Sequence, residues 1–157
     1  MNLFKRLFAK PKREISIKKG ITYFHIEGYR ESNYAAEIKQ AFQRWNEALA
    51  DVGYGFIELE SPELAHIKIK FYNSKRPLPD PWKSIMDDRD VISFQTPEPY
   101  IIYINTDICE NYTECIFKSI GKMLYGGHDL AGEFKFAMNE KENIISDELL
   151  NDVKNGL

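Results

Sequence analysis

The stretch His-Ile-Lys-Ile-Lys-Phe-Tyr, residues 66–72, decides the fold because its apolar and polar side chains alternate strictly. Successive side chains of a β-strand point to opposite faces, so Ile67, Ile69 and Phe71 share one face and the two lysines share the other. The pattern predicts a half-buried strand. Another layer of structure must cover its isoleucine face.

The segments before this strand predict a strand, a long helix and a second strand. Residues 21–27 are rich in β-branched and aromatic side chains, which is typical of a strand. From about 34 to 50, four apolar residues recur at steps of four, three and four, as in an amphipathic helix, and Gly53 and Gly55 end it. Residues 56–60 alternate again and predict the next strand. The residues of the helical stripe are Ile38, Phe42, Trp45 and Leu49.

The segments after the strand predict the rest of the sheet and two more helices. Residues 75–99 hold five prolines and predict loops, with an edge strand at 91–94. Residues 100–105 form the most apolar strand, residues 112–125 form a helix, and a final helix begins at Ser146. The core face of the helix at 112–125 is formed by Ile116, Ile120, Met123 and Leu124. The sequence thus predicts an α+β fold with a mixed twisted sheet of about five strands.

Length and composition limit the class of protein. A chain of 157 residues with 43% hydrophobic residues holds one ordinary domain, which we place at 20–157. It contains no apolar run of the roughly 20 residues that a membrane-spanning helix needs. The net charge of −3 makes nucleic acid an unlikely partner. The only cysteines, Cys109 and Cys115, are expected to be free thiols in a reducing, cytoplasmic compartment.

Residues 1–19 form a basic N-terminal arm. They hold seven basic side chains and one acidic one, a charge of +6, so the rest of the chain sums to −9. A short helix here would place its apolar side chains on one face, suited to a groove on another subunit or to a membrane surface. The alternative is a solvated tail. The partner-binding candidates are Leu3, Phe4, Lys5, Arg6, Leu7, Phe8, Lys10, Lys12 and Arg13.

Two groups of residues, together with the order of the elements, carry a resemblance to a known family. The long helix contains Ala41, Phe42 and Trp45 in the pattern Ala-Phe-x-x-Trp, and residues 65–71 read Ala-x-Ile-x-Ile-x-Phe. Residues 118–128 read Lys-Ser-Ile-Gly-Lys-Met-Leu-Tyr-Gly-Gly-His. Over about 21–155 the chain resembles the zincin metalloprotease fold, in its metzincin branch and matrixin-like group.

The resemblance assigns residues 118–128 to the zinc motif H-E-x-x-H-x-x-G-x-x-H of that family. It implies that the helix at 112–125 is a former active-site helix. The residues that match are Ile120, Gly121, Leu124 and His128, with Met138 as the methionine of the later turn.

The residues that would perform the chemistry differ from the motif. Lys118 and Lys122 stand at the two helix ligand positions, and Ser119 stands at the position of the general base. The glycine that normally ends the helix is Tyr125, with Gly126 one place later. An ammonium group has no lone pair for zinc, and a serine hydroxyl cannot replace the glutamate. The sequence therefore predicts no catalysis and no metal or other cofactor.

Two alternatives remain for the lysine pair. The side chains of Lys118 and Lys122 could form a solvated helix face, or they could line the cleft with an ammonium in place of the metal. In the cleft they could pair with an acid such as Asp129 or Glu133. The other two histidines, His25 and His66, lie in predicted strands. We expect them to be surface residues or half-buried ones with satisfied hydrogen bonds rather than metal ligands.

These observations favour a catalytically inactive zincin-like protein that serves as an assembly subunit without a small-molecule substrate. Ile, Lys, Asn and Tyr, which have AT-rich codons, make up a third of the chain, as in many bacterial and phage genomes. The concrete form of the hypothesis is a virion component of a tailed phage, in the collar, tail or ring. The alternatives are a metal-dependent hydrolase with relocated ligands, including His128 and Asp129, and a soluble regulator that binds a host protein through residues 75–99.

Overall fold

The computed structural model describes residues 17–28, 33–86, 91–96, 100–125, 150–151 and 153–155. A 3₁₀ turn at Ala50–Val52 follows the first helix, and residues 150–151 and 153–155 are helical. The other elements, in chain order, are β1 (Gly20–Ile26), α1 (Asn33–Leu49), β2 (Tyr54–Glu58), β3 (Ile67–Tyr72), α2 (Trp82–Met86), β4 (Ser93–Gln95), β5 (Tyr100–Asn105) and α3 (Tyr112–Tyr125).

The strands form one mixed sheet in the order β2-β1-β3-β5-β4. The first four strands in this order are parallel, and β4 pairs antiparallel with β5 at the edge. In the middle of the sheet, Phe24 of β1 has Glu58 of β2 as its partner on one side and Ile67 of β3 on the other. The sheet and its helices confirm the α+β class with a mixed five-stranded sheet.

The main core lies between one face of the sheet and the helices α1 and α3. Each residue of the predicted α1 stripe is buried, and the ring of Phe42 stacks on that of Phe24 of β1 at 3.7 Å between centroids. The core side of α3, with Ile116 and Ile120, is also fully buried. Val153 near the chain end joins the same core. Burial of these large apolar side chains is the main force that holds the layers together.

A loop crosses the face of the sheet that is turned away from α1 and α3. Residues 59–66 must pass over β1 because β2 and β3 lie on opposite sides of it. At the start of the loop, His25 Nδ1 lies 2.9 Å from the carbonyl oxygen of Leu59. At the end of the loop, His66 Nδ1 accepts a hydrogen bond from the Tyr23 backbone N–H at 2.9 Å. The rings of Tyr23 and His66 also stack. Both histidines therefore have the satisfied polar role that the sequence predicts.

The same face is unevenly covered on the two sides of that loop. Over β5 and β4 a second apolar cluster includes Leu78, Met86 and Phe94 and is buried. Over β1 and β2, the side chains of Ile21 and Ile57 are exposed. Among the described residues, the half of the sheet formed by β1 and β2 thus has one covered face and one open face.

A side chain of α1 covers the outer edge of β2. The amide of Asn46 accepts a hydrogen bond from the Phe56 N–H at 2.7 Å and donates one to the Phe56 carbonyl oxygen at 3.0 Å. Unpaired backbone groups on an edge strand invite pairing with another chain. Asn46 removes both groups of Phe56 from such pairing.

Several predicted bounds are confirmed and others are corrected. The helix α3 and the strand β5 have the predicted limits, and α1 agrees within one residue. The second strand begins at Tyr54, two residues early, so Gly55 lies within it and only Gly53, with a φ of 87°, ends the helical segment. The edge strand is Ser93–Gln95 rather than 91–94. The short helix α2 was not predicted, because five residues between prolines show no helical period.

Some predictions fall outside the described residues. They include the arm at 1–16, the glycines at 126–127 and the start of the last helix at Ser146. No helix in the described ranges is both long and apolar enough to cross a membrane.

Candidate functional site

The three predicted positions on α3 lie at different depths. Lys122 is only 4% exposed, and Ser119 is buried as well. Lys118, one turn earlier, is half-buried. The burial of Lys122 corrects the view that this lysine pair forms a solvated face, because water reaches almost none of its side chain. Placing an ammonium group at this depth costs free energy unless polar groups surround it.

The polar side chains of the sheet that face α3 belong to β4. Ser93 and Gln95 share one face of this strand, opposite the face of Phe94. Their partners across the antiparallel pair are Ile104 and Ile102, which belong to the core under the helices. Residues that pair directly across two strands share a face. Ser93 and Gln95 therefore face the α3 side of the sheet, at its edge.

Residues of α3 run alongside these two side chains. The chain passes from β5 into α3 within residues 106–111, so α3 returns along the sheet in the direction of β4. The thiol of Cys115 lies beside Ser93. The step of four residues from Cys115 to Ser119 advances about 6 Å along the helix, and the step of two residues from Ser93 to Gln95 advances about 6.6 Å along the strand. Equal advances from the Cys115–Ser93 contact would bring Ser119 level with Gln95. We call Ser93, Gln95, Cys115, Ser119 and Lys122 the β4–α3 cluster.

The electrostatics of the cluster favour negative charge at one thiol. A hydrogen bond from Cys109 lowers the pKa of the Cys115 thiol, and the nearby Ser93 hydroxyl and the charges of Lys118 and Lys122 act in the same direction. The pKa of Cys109, which donates that hydrogen bond, is raised for the same reason and by burial. Both cysteines are free, as the sequence predicts, and both are buried. Burial keeps them from acting as accessible nucleophiles.

Three polar atoms of the cluster are buried without a hydrogen-bond partner. They are both amide atoms of Gln95, Nε2 and Oε1, and Ser93 Oγ, which lies near the Cys115 thiol but outside hydrogen-bond geometry. Gln95 is only 5% exposed, so water does not replace the missing partners at its surface. Buried polar atoms are nearly always paired in folded proteins. The sequence analysis missed both residues, because alternate polar side chains in a short edge strand are typical of a solvent-facing surface.

The side chains of the cluster do not form a metal site. In the part of the chain that the structure describes, no group of three His, Cys, Asp or Glu residues could hold a metal ion. His25 and His66 hold the crossing loop on the other face of the sheet, far from α3. The remaining candidates of the zinc motif and of the arm lie outside the described residues: His128, Met138, Leu3, Phe4, Lys5, Arg6, Leu7, Phe8, Lys10, Lys12 and Arg13.

A cavity of about 430 Å³ lies elsewhere, at the carboxyl ends of β3 and β5. Its polar wall includes Tyr72, whose hydroxyl donates a 3.3 Å hydrogen bond to the Val91 carbonyl oxygen. Burial raises the pKa of Tyr72 to about 12, so the phenol is neutral at physiological pH. Asp107, on the same wall, accepts a 2.8 Å hydrogen bond from the Ser74 N–H. These groups fix the loop after β3, and we regard the cavity as secondary to the β4–α3 cluster.

Fold and cluster together define an α+β domain with a buried lysine on its second long helix. No family model matches the chain, and no curated protein matches it.

Proposed function

We propose that this chain is a catalytically inactive, zincin-like protein that acts as a structural subunit of a larger assembly. The observation that carries the proposal is the buried ammonium group of Lys122. It occupies the helix position that the resemblance assigns to a zinc ligand. A lysine at this depth belongs to the interior of the domain and not to its solvated surface.

The order of the elements supports the zincin-like part of the proposal. A strand, a long helix, two strands, an edge strand, a further strand and a second long helix follow in the order that the resemblance implies, with the short helix α2 added before the edge strand. The helix that would carry the zinc motif, α3, spans 112–125 and holds Lys118, Ser119 and Lys122 within its last two turns.

The residues present do not fit zinc. An ammonium group donates hydrogen bonds and has no lone pair to give to a metal. Its positive charge also repels a divalent cation, and the repulsion is strong at a site that excludes water. Ser119 and Gln95 are both buried, and neither side chain is a base at neutral pH. We derive no metal-dependent step for this domain.

The arm supports the assembly part of the proposal. Its charge of +6 is opposite to the −9 of the remaining chain, so the arm of one copy is attracted to the acidic body of another at close approach. The concrete form we propose is a tailed-phage virion component, in the collar, tail or ring, made in the cytoplasm. This form follows from the composition of the chain together with its arm.

The test is the size and the metal content of the full-length chain, measured on one sample by light scattering and elemental analysis. We expect an assembly larger than a monomer with far less than one zinc per chain. One zinc per chain in a monomer would overturn the proposal and favour a hydrolase with relocated ligands.

A set of variants tests the zincin-like backbone directly. In the full chain, Lys118→His, Ser119→Glu and Lys122→His together should create zinc binding, because they restore two imidazoles one helical turn apart. The matched control carries Lys118→Gln, Ser119→Glu and Lys122→Gln, which removes the charges without adding ligands. Isothermal titration with zinc measures the difference. If the histidine variant folds and binds no more zinc than the control, the backbone is not zincin-like.

A further inference from the structure

An exposed apolar patch lies on the open face of β1 and β2. The side chains of Ile21 and Ile57 are 54% and 46% exposed, and both point away from α1 and α3. Leu64, in the loop that crosses this face, is 78% exposed. Among the described residues, these are three of the four large apolar side chains with high exposure. We call Ile21, Ile57 and Leu64 the open-face patch.

The geometry around the patch excludes one mode of binding. A peptide cannot add as a strand at the centre of β2, because Asn46 already bonds both backbone groups of Phe56. A partner must instead lie across the sheet face. Contiguous apolar patches with a polar rim are typical of such protein–protein contacts.

The rim of the patch is acidic. Glu60 and Glu63 lie in the crossing loop, and both are exposed. A hydrogen bond from Ser61 lowers the pKa of Glu63, so its carboxylate is charged at neutral pH. Lys70 is paired with Glu27 at 3.5 Å, and the charge of Lys68 on β3 also lowers the pKa of Glu63, so Glu60 carries most of the uncompensated negative charge of the loop. The surface therefore fits a partner with an apolar face and basic flanks.

The N-terminal arm has this chemistry. Its apolar residues Leu3, Phe4, Leu7 and Phe8 would share one face of a short helix, with basic residues beside them. Ile17, the first described residue, is buried in the main core rather than on the open face. The arm of a neighbouring copy can approach the patch from outside.

We propose that the arm of a second copy of this chain docks on the open-face patch. The inference rests on the proposed function, since it names the surface through which the arm joins subunits. The apolar side chains of the arm cover Ile21 and Ile57, and its basic side chains meet Glu60 and Glu63. Each copy offers one arm and one patch, so the contact is head-to-tail and closes into rings or continues into filaments.

The test uses the full-length chain and measures its mass by light scattering over a range of concentrations. Ile57→Glu should weaken association by at least about tenfold, since it removes apolar burial and adds a carboxylate. The matched control is Ile85→Glu, which changes the fourth exposed apolar residue, 39% exposed on α2, and should assemble like the wild type. Phe4→Glu with Phe8→Glu in the arm should reproduce the effect of Ile57→Glu.

The outcomes separate this inference from the proposed function. If Ile57→Glu is folded and assembles like the wild type while the arm variant does not, the patch is not the docking site and the proposed function stands. If the wild type is monomeric and its arm cross-links to its own patch, docking occurs within one chain and the inference is wrong. If the arm variant assembles normally in a zinc-free sample, the arm has no role in assembly, so the docking inference is wrong while the proposed function stands. If the wild type is a monomer with one zinc per chain, both are wrong.

Discussion

Gln95 and Asn46 are two amide side chains at opposite edges of one sheet, and they differ in what they bind. Asn46 pairs with both backbone groups of Phe56 on β2. Gln95 on β4 is buried with neither amide atom paired. A buried amide without partners lowers stability, whereas one that bonds two backbone groups raises it.

We therefore predict opposite effects of two apolar substitutions. Gln95→Met keeps the size of the side chain and removes two unpaired atoms, so the free energy of unfolding should rise by about 1 kcal/mol. Asn46→Leu, the matched control, leaves the Phe56 N–H and carbonyl unpaired and should lower it by about 2 kcal/mol. Urea denaturation followed by tryptophan fluorescence measures both. An equal loss in the two variants would mean that Gln95 has a bonding partner in solution.

The helices α1 and α3 are locked together by one tryptophan and its neighbours. The indole of Trp45 stacks on Phe117 at 4.4 Å and donates a 2.9 Å hydrogen bond to the Phe117 carbonyl oxygen. From the other side, the guanidinium of Arg44 lies 4.0 Å from the same ring and pairs with Glu114 at 3.0 Å. Because Trp45 is fully buried, this contact joins the two helices more strongly than the half-exposed ion pair does.

Trp45→Phe should therefore lower the free energy of unfolding by about 2–4 kcal/mol, since it opens a cavity and removes the indole donor. Gln43→Ala, on the exposed side of the same helix, is the control and should stay within about 0.5 kcal/mol of the wild type. Thermal and urea unfolding monitored by circular dichroism give both values. A small loss for Trp45→Phe would show that the core fills the space by repacking.

The elements that the sequence predicts well are those in which the periodic pattern of apolar residues extends over enough residues to be recognised. The stripe of α1 spans about three turns, and β3 alternates over six residues, so the predicted bounds of both elements agree with the structure within one residue. The short helix α2 has no readable period. At the site, the burial of Lys122 could not be predicted, because a charged residue on a helix is usually solvated.

At the scale of the whole molecule, several tyrosines bind their protons more tightly in the folded chain. Burial raises the pKa of Tyr72 to about 12, and it raises the pKa of Tyr103 and Tyr112 as well. In the unfolded chain these phenols titrate near their usual pKa of about 10. At higher pH the unfolded state therefore holds fewer protons than the folded state, which lowers the stability.

The free energy of unfolding should accordingly be unaffected by these groups below about pH 10 and fall as the pH rises from 10 to 12. Urea titrations at a series of pH values measure the slope. Tyr72→Phe should reduce the fall, because it removes one of the shifted groups. Tyr23→Phe is the control on the open face. If the free energy of unfolding falls as steeply with pH in Tyr72→Phe as in the wild type, Tyr72 does not contribute to the loss of stability.

The position of β1 determines how the domain would carry mechanical load. The arm leads directly into β1, which lies between two parallel neighbours, β2 and β3. A pull on the arm acts along the strand axis, while the ladder hydrogen bonds run across it. The bonds on both sides of β1 are then sheared together rather than opened one after another. A subunit held by its arm would therefore resist tension through its central sheet, and the first part to give way would be the contact with its neighbour.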